Sequence, residues 1–218
     1  MFGDSTLFDF RGPMGVRVEV QSSFLLLVLL VAIFFSNNIL VGVIFLLMLT
    51  LSIFLHEMGH AWAHVAQKVP VKRVVIMGGG GFCESLVSPT RQQEEFIVAM
   101  GPIVNLMLWA IASGISQAGL IEPETVAATI LSYFALLNLF LFVFNMLPMQ
   151  PLDGGRLLHL VLKRFTSPLR ALKITGGVGL VMCVLWIPTL ILLLLYVGIA
   201  LFFIPSFRLH WDMFKAGS

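Results

Sequence analysis

Charged residues are scarce in this chain of 218 residues. Asp, Glu, Lys and Arg together make up 11% of it, against about 25% in soluble globular proteins. Apolar residues make up 59%, and the mean hydropathy is +1.00. So few charges could not cover the surface of a soluble domain of this size. The composition therefore excludes a soluble domain and a disordered chain, and it indicates a membrane protein.

Cysteine and an excess of positive charge are also lacking. Cys83 and Cys183 are the two cysteines of the chain, and their separation fits neither a disulfide framework nor a metal-ligand spacing. The net charge of +2 is too small for the footprint of a nucleic-acid-binding protein. We therefore expect no nucleic-acid partner, and we interpret Cys83 as a small apolar residue rather than a regulatory thiol.

Long apolar runs dominate what remains of the sequence. The hydrocarbon core of a bilayer is about 30 Å thick, so a helix needs about 20 apolar residues to cross it. Six runs predict six transmembrane helices, at residues 22–35, 39–65, 96–117, 126–144, 172–186 and 188–205. The first run is short, but it has neither the basic flank nor the cleavage site of a signal peptide, and we expect it to be a span.

The basic residues predict the orientation of these helices. All 13 Lys and Arg residues lie before the first predicted span, between the second and third, between the fourth and fifth, or after the sixth, with Lys173 at the border of the fifth. The alternate loops carry only Glu122 and Glu124. By the positive-inside rule, both termini face the cytoplasm. The sequence thus predicts a multi-pass integral membrane protein.

Two short segments on the predicted cytoplasmic side have the pattern of strands. Apolar and charged residues alternate with period two in residues 16–20, and a second such run covers residues 71–77. We expect these segments to pair in a small sheet at the membrane surface. Four consecutive glycines follow at 78–81, which cannot form a stable helix. They are either a flexible turn or a re-entrant loop that lines a cavity.

A metal-binding motif, His56-Glu57-Met58-Gly59-His60, lies near the cytoplasmic end of the second predicted span. Side chains four residues apart share one helix face, so His56 and His60 can bind one zinc ion. Glu57 is placed to take a proton from water rather than to bind the metal. Such polar side chains are costly inside a membrane unless they serve a site. His64, one turn further on, is interpreted as a supporting or interfacial residue.

Asp153 is the strongest candidate for a third zinc ligand, which a catalytic zinc site requires. It follows the fourth predicted span, in a segment at 145–155 where two prolines and two glycines break the helix. The unpaired backbone groups of such a segment need polar partners or a wet cavity. The alternative role for Asp153 is that of a helix N-cap.

These motifs resemble those of the site-2 protease family of intramembrane zinc metalloproteases. A third motif of that family, Gly101-Pro102-Ile103-Val104-Asn105, is present at the start of the third predicted span, and all three occur in the family's order. The resemblance implies an all-α polytopic membrane protein with six transmembrane helices, a small membrane-surface β-sheet and a Gly-rich loop. It also implies a single domain over residues 1–218, a minimal core without the PDZ or CBS domain of larger members.

The resemblance further implies a function for each motif. His56, His60 and Asp153 would bind one zinc ion per chain, and Glu57 would activate the water as general base. Asn145 would hold the substrate or the developing oxyanion, whereas Asn105 is at least as well explained by helix packing. Substrates would be proteins with transmembrane helices in the same bilayer, cleaved within those helices near the cytoplasmic side.

Two further expectations concern how a substrate helix enters the protein and how it is held there. The resemblance implies that the first and sixth spans move apart to admit a substrate helix. The strands at 16–20 and 71–77 could then hold an unwound substrate by strand addition, which pairs its freed backbone groups.

Two other classes of protein fit part of this pattern. One is the membrane zinc protease class that trims prenylated proteins, in which Glu84, Glu94 or Glu95 would be the third ligand, leaving Asp153 unexplained. The other is a non-proteolytic membrane zinc-binding or transport protein, since transporters also place His and Asp at broken helices. Glu57 argues against this second class, because a pure binding site does not require it.

Overall fold

The computed structural model describes residues 5–192, 195 and 203–216. Helices predominate in this part of the chain. Its strands and helices are β1 (Thr6–Arg11), β2 (Arg17–Gln21), α1 (Phe24–Phe34), α2 (Ile39–Ala66), β3 (Val71–Met77), β4 (Gly80–Ser85), α3 (Arg91–Gln117), α4 (Val126–Asn145), α5 (Asp153–Phe165), α6 (Pro168–Leu192) and α7 (Phe207–Ala216). The residues form two compact units, Met1–Phe142 and Val143–Ser218.

Four of the described helices, α2, α3, α4 and α6, are long and apolar enough to cross a membrane. They coincide with the second to fifth predicted spans, which confirms an integral membrane protein. The first predicted span is a helix of 11 residues, shorter than the roughly 20 residues that crossing requires. The predicted span at 188–205 begins inside α6, but residues 193, 194 and 196–202 lie outside the described part of the chain. Four of the six predicted spans are therefore confirmed.

Polar side chains fix where two of these helices begin. Asn38 caps α2 by accepting a hydrogen bond from the backbone N–H of Val41 at 3.2 Å. Thr90 and Gln93 form a reciprocal capping box at the start of α3. Hydropathy placed the start of α3 at residue 96, because it detects the apolar body of a helix and not its polar first turn.

The strands of the first unit form a four-stranded sheet in the order β1-β2-β3-β4. The β2 and β3 strands pair in parallel, with Val18 opposite Val74, which confirms the predicted pairing. Val18 and Val74 are fully buried and belong to one hydrophobic cluster with Met58 and Ala61 of α2. This cluster fixes the sheet against the turn of α2 that carries the histidines.

The glycine run is divided between a turn and a strand. Gly78 and Gly79 lie in the turn, whereas Gly80 and Gly81 begin β4, which pairs antiparallel with β3. A Cβ atom on Gly81 would lie 2.7 Å from Cγ of Glu57 and 2.8 Å from the carbonyl oxygen of Val75. Glycine is therefore required there, because it lets the β4 backbone approach the side chain of Glu57 closely.

The sheet order corrects one expectation about substrate binding. Among the described strands, β2 and β3 each have a hydrogen-bonded neighbour on both sides. The expectation that these two strands accept a substrate strand is wrong, because a strand adds only to an edge whose backbone groups are unpaired. The edges of this sheet are β1 and β4.

In the second unit, α7 packs closely on α6. Cβ atoms on Gly176 and Gly179 would collide with the backbone of Phe214 and the imidazole of His210, respectively. Nδ1 of His210 donates to the carbonyl oxygen of Ser206 at 2.8 Å, and its Nε2 accepts from the backbone N–H of Gln150 at 3.0 Å. His210 thereby ties α7 to the loop that precedes α5.

Candidate metal centre

His56, Glu57 and His60 are buried on α2, with 6%, 5% and 6% of their surfaces exposed. The two imidazole rings lie edge to face with their centroids 4.8 Å apart, and their Nε2 atoms are 3.1 Å apart. This confirms that the spacing of four residues brings both rings to one helix face.

Hydrogen bonds to Nδ1 determine which nitrogen of each ring can bind a metal. Nδ1 of His60 lies 2.8 Å from the carbonyl oxygen of Ile97. A carbonyl oxygen only accepts, so this Nδ1 carries the proton and Nε2 keeps its lone pair. Nδ1 of His56 lies 2.5 Å from Oδ1 of Asn105, which gives the same assignment. Each imidazole thus presents an Nε2 lone pair at the place where the two rings meet.

The two nitrogens fit a zinc ion. Two ligands, each about 2.0–2.1 Å from a tetrahedral zinc, lie about 3.3 Å apart, close to the observed 3.1 Å. Two lone pairs in this arrangement repel each other, and a cation bound to both relieves the repulsion. Neutral imidazoles oriented by a hydrogen bond on the opposite nitrogen are typical of metal ligands.

Gly101 of α3 leaves the space in front of the imidazoles. A Cβ atom at this position would collide with Nε2 of His60 and would lie 2.6 Å from Nε2 of His56. Asn105 lies one turn later on the same face of α3. The Gly101 to Asn105 motif therefore has two tasks at this site, to leave room for an ion and to orient His56.

A second glycine allows the two helices to approach. A Cβ atom on Gly59 would lie 2.8 Å from the carbonyl oxygen of Met100 and 2.8 Å from Cγ2 of Val104. Small residues at such a contact let helix backbones pack closely in a membrane. Gly59 thus brings α3 within hydrogen-bonding distance of the histidines on α2.

His64 and Cys83 lie beside the motif. Nδ1 of the buried His64 donates to the carbonyl oxygen of His60 at 2.9 Å, so the residue supports the helix turn that carries a predicted ligand. The thiol of Cys83 on β4 lies 3.8 Å from the same nitrogen. A role of His64 at the metal site remains a prediction.

Asp153 and Asn145 belong to the second unit. Asp153 is the first residue of α5 and is 7% exposed. Leu152 occupies the N-cap position, so the N-cap alternative for Asp153 is wrong. Asn145 is the half-buried last residue of α4. The roles of Asp153 as a ligand and of Asn145 toward substrate remain predictions.

The two glycines after Asp153 have a packing role. Cβ atoms on Gly154 and Gly155 would collide with the backbone of Met146 and Met149, respectively. They allow the loop before α5 to fold tightly over the first turn of the helix, where a carboxylate is also favoured by the helix dipole. This accounts for the acid-Gly-Gly order at the start of α5.

Two of the three glutamates of the alternative protease class, Glu84 and Glu95, lie beside basic residues. Glu84 lies on β4 and accepts hydrogen bonds from Lys72 at 2.9 Å and from Arg73 at 2.8 Å. These bonds, that of Lys72 first, hold the pKa of the Glu84 carboxyl below its ordinary value, so its ion pairs persist until the pH falls through that lowered value. Glu95 lies 3.8 Å from Arg91. Glu84 is thus held at the surface of the sheet by its ion pairs with Lys72 and Arg73.

Comparison with known proteins identifies the family of this chain. The model of peptidase family M50 matches residues 44–121 and 114–186. The chain therefore belongs to peptidase family M50. The matched residues include His56, Glu57, His60, Asn105 and Asp153.

Two curated relatives match most of this chain or nearly two thirds of it, and one of them is named as a zinc metalloprotease. The chain is 27% identical over 195 residues to the zinc metalloprotease MJ0392 of Methanocaldococcus jannaschii, covering 87% of this chain and 57% of that protein. It is 31% identical over 142 residues to stage IV sporulation protein FB of Bacillus subtilis, covering 64% of this chain and 48% of the relative. The chain thus spans about half the length of the curated relatives that it matches.

A solved structure has the same fold. The site-2 protease from Methanocaldococcus jannaschii superposes with a TM-score of 0.67 at 21% identity, over 96% of this chain and 93% of that one. The sheet and helices described above are therefore those of a site-2 protease fold.

Proposed function

We propose that this chain is an intramembrane zinc metalloprotease, which hydrolyses peptide bonds within transmembrane segments of membrane-protein substrates. The observation that carries the proposal is the pair of buried imidazoles whose Nε2 atoms lie 3.1 Å apart, on a helix long enough to cross a membrane. Membership of peptidase family M50 supports the reaction type. The proposal is tested by comparing the wild-type chain with Glu57→Gln for zinc content and for cleavage of a membrane substrate.

The residues proposed to hold one zinc ion are His56, His60 and Asp153. Two neutral imidazoles and one carboxylate form a ligand set found in catalytic zinc sites, with a fourth position left for water. When bound, zinc lowers the pKa of water to about 7 and polarises a peptide carbonyl. The burial of Asp153 at the start of α5 supports its role, since a buried carboxylate is paired with a cation or coordinates a metal.

Asp153→Ala should lower zinc occupancy, whereas Glu84→Ala should leave it unchanged. The first variant removes a proposed ligand, and the second removes a carboxylate held by Lys72 and Arg73. Zinc bound per purified chain, measured by elemental mass spectrometry, gives the comparison. Full zinc occupancy with normal activity in Asp153→Ala, or loss of zinc in Glu84→Ala, would show that the third ligand was wrongly assigned.

Glu57 is proposed as the general base. Its carboxylate would take a proton from the attacking water and later deliver it to the nitrogen of the departing amine, which balances the hydrolysis. Asn145 is proposed to donate hydrogen bonds from its amide to the carbonyl oxygen as negative charge develops there. Donors placed in this way contribute about 2.7–4 kcal/mol in other hydrolases.

A peptide bond in a membrane helix must be unwound before it can be cleaved. Unwinding leaves backbone N–H and C=O groups unpaired, at a cost of several kcal/mol each in an apolar medium. We propose that β4 pairs with these groups, because it is an edge strand and a Cβ atom built on its Gly81 would lie 2.7 Å from Cγ of Glu57. An extended substrate added to β4 would thus pass beside the proposed base.

Gly81→Ala should reduce kcat for a membrane substrate by at least about tenfold, because a Cβ atom there displaces either β4 or the side chain of the proposed base. The matched control is Gly79→Ala, since nothing lies within 4 Å of a Cβ atom at that position. Steady-state kinetics in lipid vesicles measures both. Equal rates for the two variants would argue against a close approach of β4 to the site.

The proposed orientation places both termini and the metal site toward the cytoplasm. The basic residues of the sheet, including Arg17 of β2 and Arg73 of β3, support this orientation. The loop between α3 and α4, which carries Glu122 and Glu124 and no Lys or Arg, would face the opposite side.

A further inference from the structure

A row of buried polar side chains leads away from His56 through the membrane-spanning helices. Ser52 on α2, Asn105 on α3 and Asn138 on α4 are each 0% exposed. Nδ2 of Asn105 donates to Oδ1 of Asn138 at 2.9 Å, and Nδ2 of Asn138 donates to Oγ of Ser52 at 3.0 Å. Ser52 lies one turn before His56, so the row starts and ends on α2 and connects three helices.

A backbone carbonyl of α4 fixes the orientation of the two amides in this row. Nδ2 of Asn138 also lies 2.9 Å from the carbonyl oxygen of Phe134. A carbonyl oxygen only accepts, so the nitrogen of the Asn138 amide must face it. The oxygen of that amide then faces Asn105 and requires a donor there. The Asn105 amide must therefore direct its nitrogen toward α4 and its oxygen toward His56.

The orientation of the Asn105 amide determines which ring nitrogen of His56 carries the proton. Since Oδ1 of Asn105 only accepts, Nδ1 of His56 has to carry the proton, and Nε2 keeps the lone pair that a metal needs. If the Asn105 amide were reversed, its nitrogen would face Nδ1, which would favour the tautomer with the proton on Nε2. That tautomer cannot bind a metal through Nε2.

We infer that Asn138 is a positioning residue, which acts through Asn105 to hold His56 in the tautomer that binds metal. The carbonyl oxygen of Phe134 fixes the orientation of the Asn138 amide, and Asn138 in turn fixes the orientation of the Asn105 amide beside His56. The inference rests on the proposed function for the identity of the metal, but the tautomer itself is a property of the metal-free chain.

A purely structural role for Asn138 would have a different consequence. Interhelical hydrogen bonds in membranes stabilise helix association, so loss of such a bond would lower the stability of the protein. It would leave the proton of His56 on Nδ1. The position of this proton therefore separates the two roles, and nitrogen NMR of histidine measures it directly.

The test begins with the wild-type chain, labelled with ¹⁵N-histidine, metal-free and embedded in lipid nanodiscs. The chain has five histidines, and the His56 signals are those that disappear in His56→Ala. We expect the proton on Nδ1 and not on Nε2. A wild-type His56 with its proton on Nε2 would overturn the inference without any variant being needed.

Asn138→Leu keeps the branched shape of the side chain and removes both of its polar atoms. The Asn105 amide then loses the hydrogen bond that fixes its orientation. We therefore expect the Nε2–H tautomer of His56 to appear. Zinc affinity, measured by competition with a chelator, should fall about 10–100-fold, the usual effect of removing a group that orients a ligand. A folded Asn138→Leu chain with unchanged tautomer and unchanged affinity would contradict the inference.

Two variants serve as matched controls. Ser52→Ala removes one acceptor of Asn138 but leaves the Phe134 carbonyl as the other acceptor. Asn138→Asp introduces an acid that is neutral in an apolar span, so the side chain still accepts from Asn105 and donates to the Phe134 carbonyl. Both should bind zinc within about threefold of the wild type. Loss of zinc affinity in Asn138→Asp equal to that in Asn138→Leu would point to packing alone and overturn the inference.

The zinc measurement also separates this inference from the proposed function. If the wild-type chain binds no zinc, the proposed function fails, whereas the tautomer result still decides the inference. If the wild type binds zinc and the folded Asn138→Leu chain binds it equally well, the inference fails and the proposed function stands.

Discussion

Glu57→Gln should retain zinc and lose proteolysis. Glutamine has nearly the same shape as glutamate, so it fits the buried position against Gly81, and Glu57 is not among the proposed ligands. The amide cannot accept a proton from water, which removes the proposed general base. We expect the turnover number to fall by about 10²–10⁴-fold, with zinc content per chain unchanged.

The matched control for this experiment is Glu124→Gln. Glu124 is exposed in the loop between α3 and α4, and the same change there should leave turnover unaffected. Purified chains in lipid vesicles, a single-pass substrate and elemental analysis of zinc give both readings. Full activity of Glu57→Gln would remove the general base from the mechanism, and activity lost together with zinc would make Glu57 a ligand instead.

Gly101→Ala should strongly weaken zinc binding. The added Cβ atom would occupy the space in front of both imidazoles, where it collides with Nε2 of His60 and approaches Nε2 of His56 to 2.6 Å. Moving α3 away to relieve the collision would loosen the contact of Gly59 with α3, and adding a methyl group to such a packed site costs about 1–3 kcal/mol. We expect at least about a 100-fold loss of zinc affinity, because changes outside the ligands already cost about 10–100-fold.

The same helix offers a control for this substitution. Gly114 also lies on α3, and nothing lies within 4 Å of a Cβ atom built on it. Gly114→Ala should therefore bind zinc like the wild type, which separates an effect on the site from an effect on the helix. Chelator competition on both variants makes the comparison. Equal zinc affinities for the two would mean that the metal does not lie in front of these imidazoles.

Much of the helical architecture could be predicted from hydropathy, because an apolar run of sufficient length can satisfy its backbone in lipid only as a helix. The helices α2, α3 and α4 were predicted in this way with small errors at their ends. The helix α7 was not, since its ten residues mix apolar, aromatic and charged side chains and its contacts with α6 depend on Gly176 and Gly179. Those glycines have no distinctive pattern in a helix that is apolar throughout.

The pairing of β2 with β3 was predicted from their short runs of apolar and charged residues, but their place in the sheet was not. The β1 strand, Thr6–Arg11, was missed although its residues 8–11 alternate between phenylalanine and a charged residue, the same pattern from which β2 was predicted. The β4 strand begins with glycines that favour a turn when considered alone. Without these two strands, the inner strands were mistaken for edges.

The placement of the two imidazoles was predictable because metal binding requires particular residue types at fixed spacing. The spacing of His56 and His60 alone places two imidazoles on one face. The role of Asn105 could have been found from its separation of four residues from Gly101, which puts both on one face of α3. Asn138 and Ser52 had no local signal, because their contacts join helices far apart in sequence. A polar residue in an apolar span was the one indication available.

The central claim is that the chain cleaves membrane-embedded helices, and mapping new protein N-termini in cells tests it most directly. The wild type and Glu57→Gln are expressed side by side in the native host, and N-termini in membrane and cytosolic fractions are identified by mass spectrometry. The account predicts new termini inside transmembrane segments that depend on Glu57. Identical termini in both strains, with both chains folded and loaded with zinc and their substrates present, would contradict it.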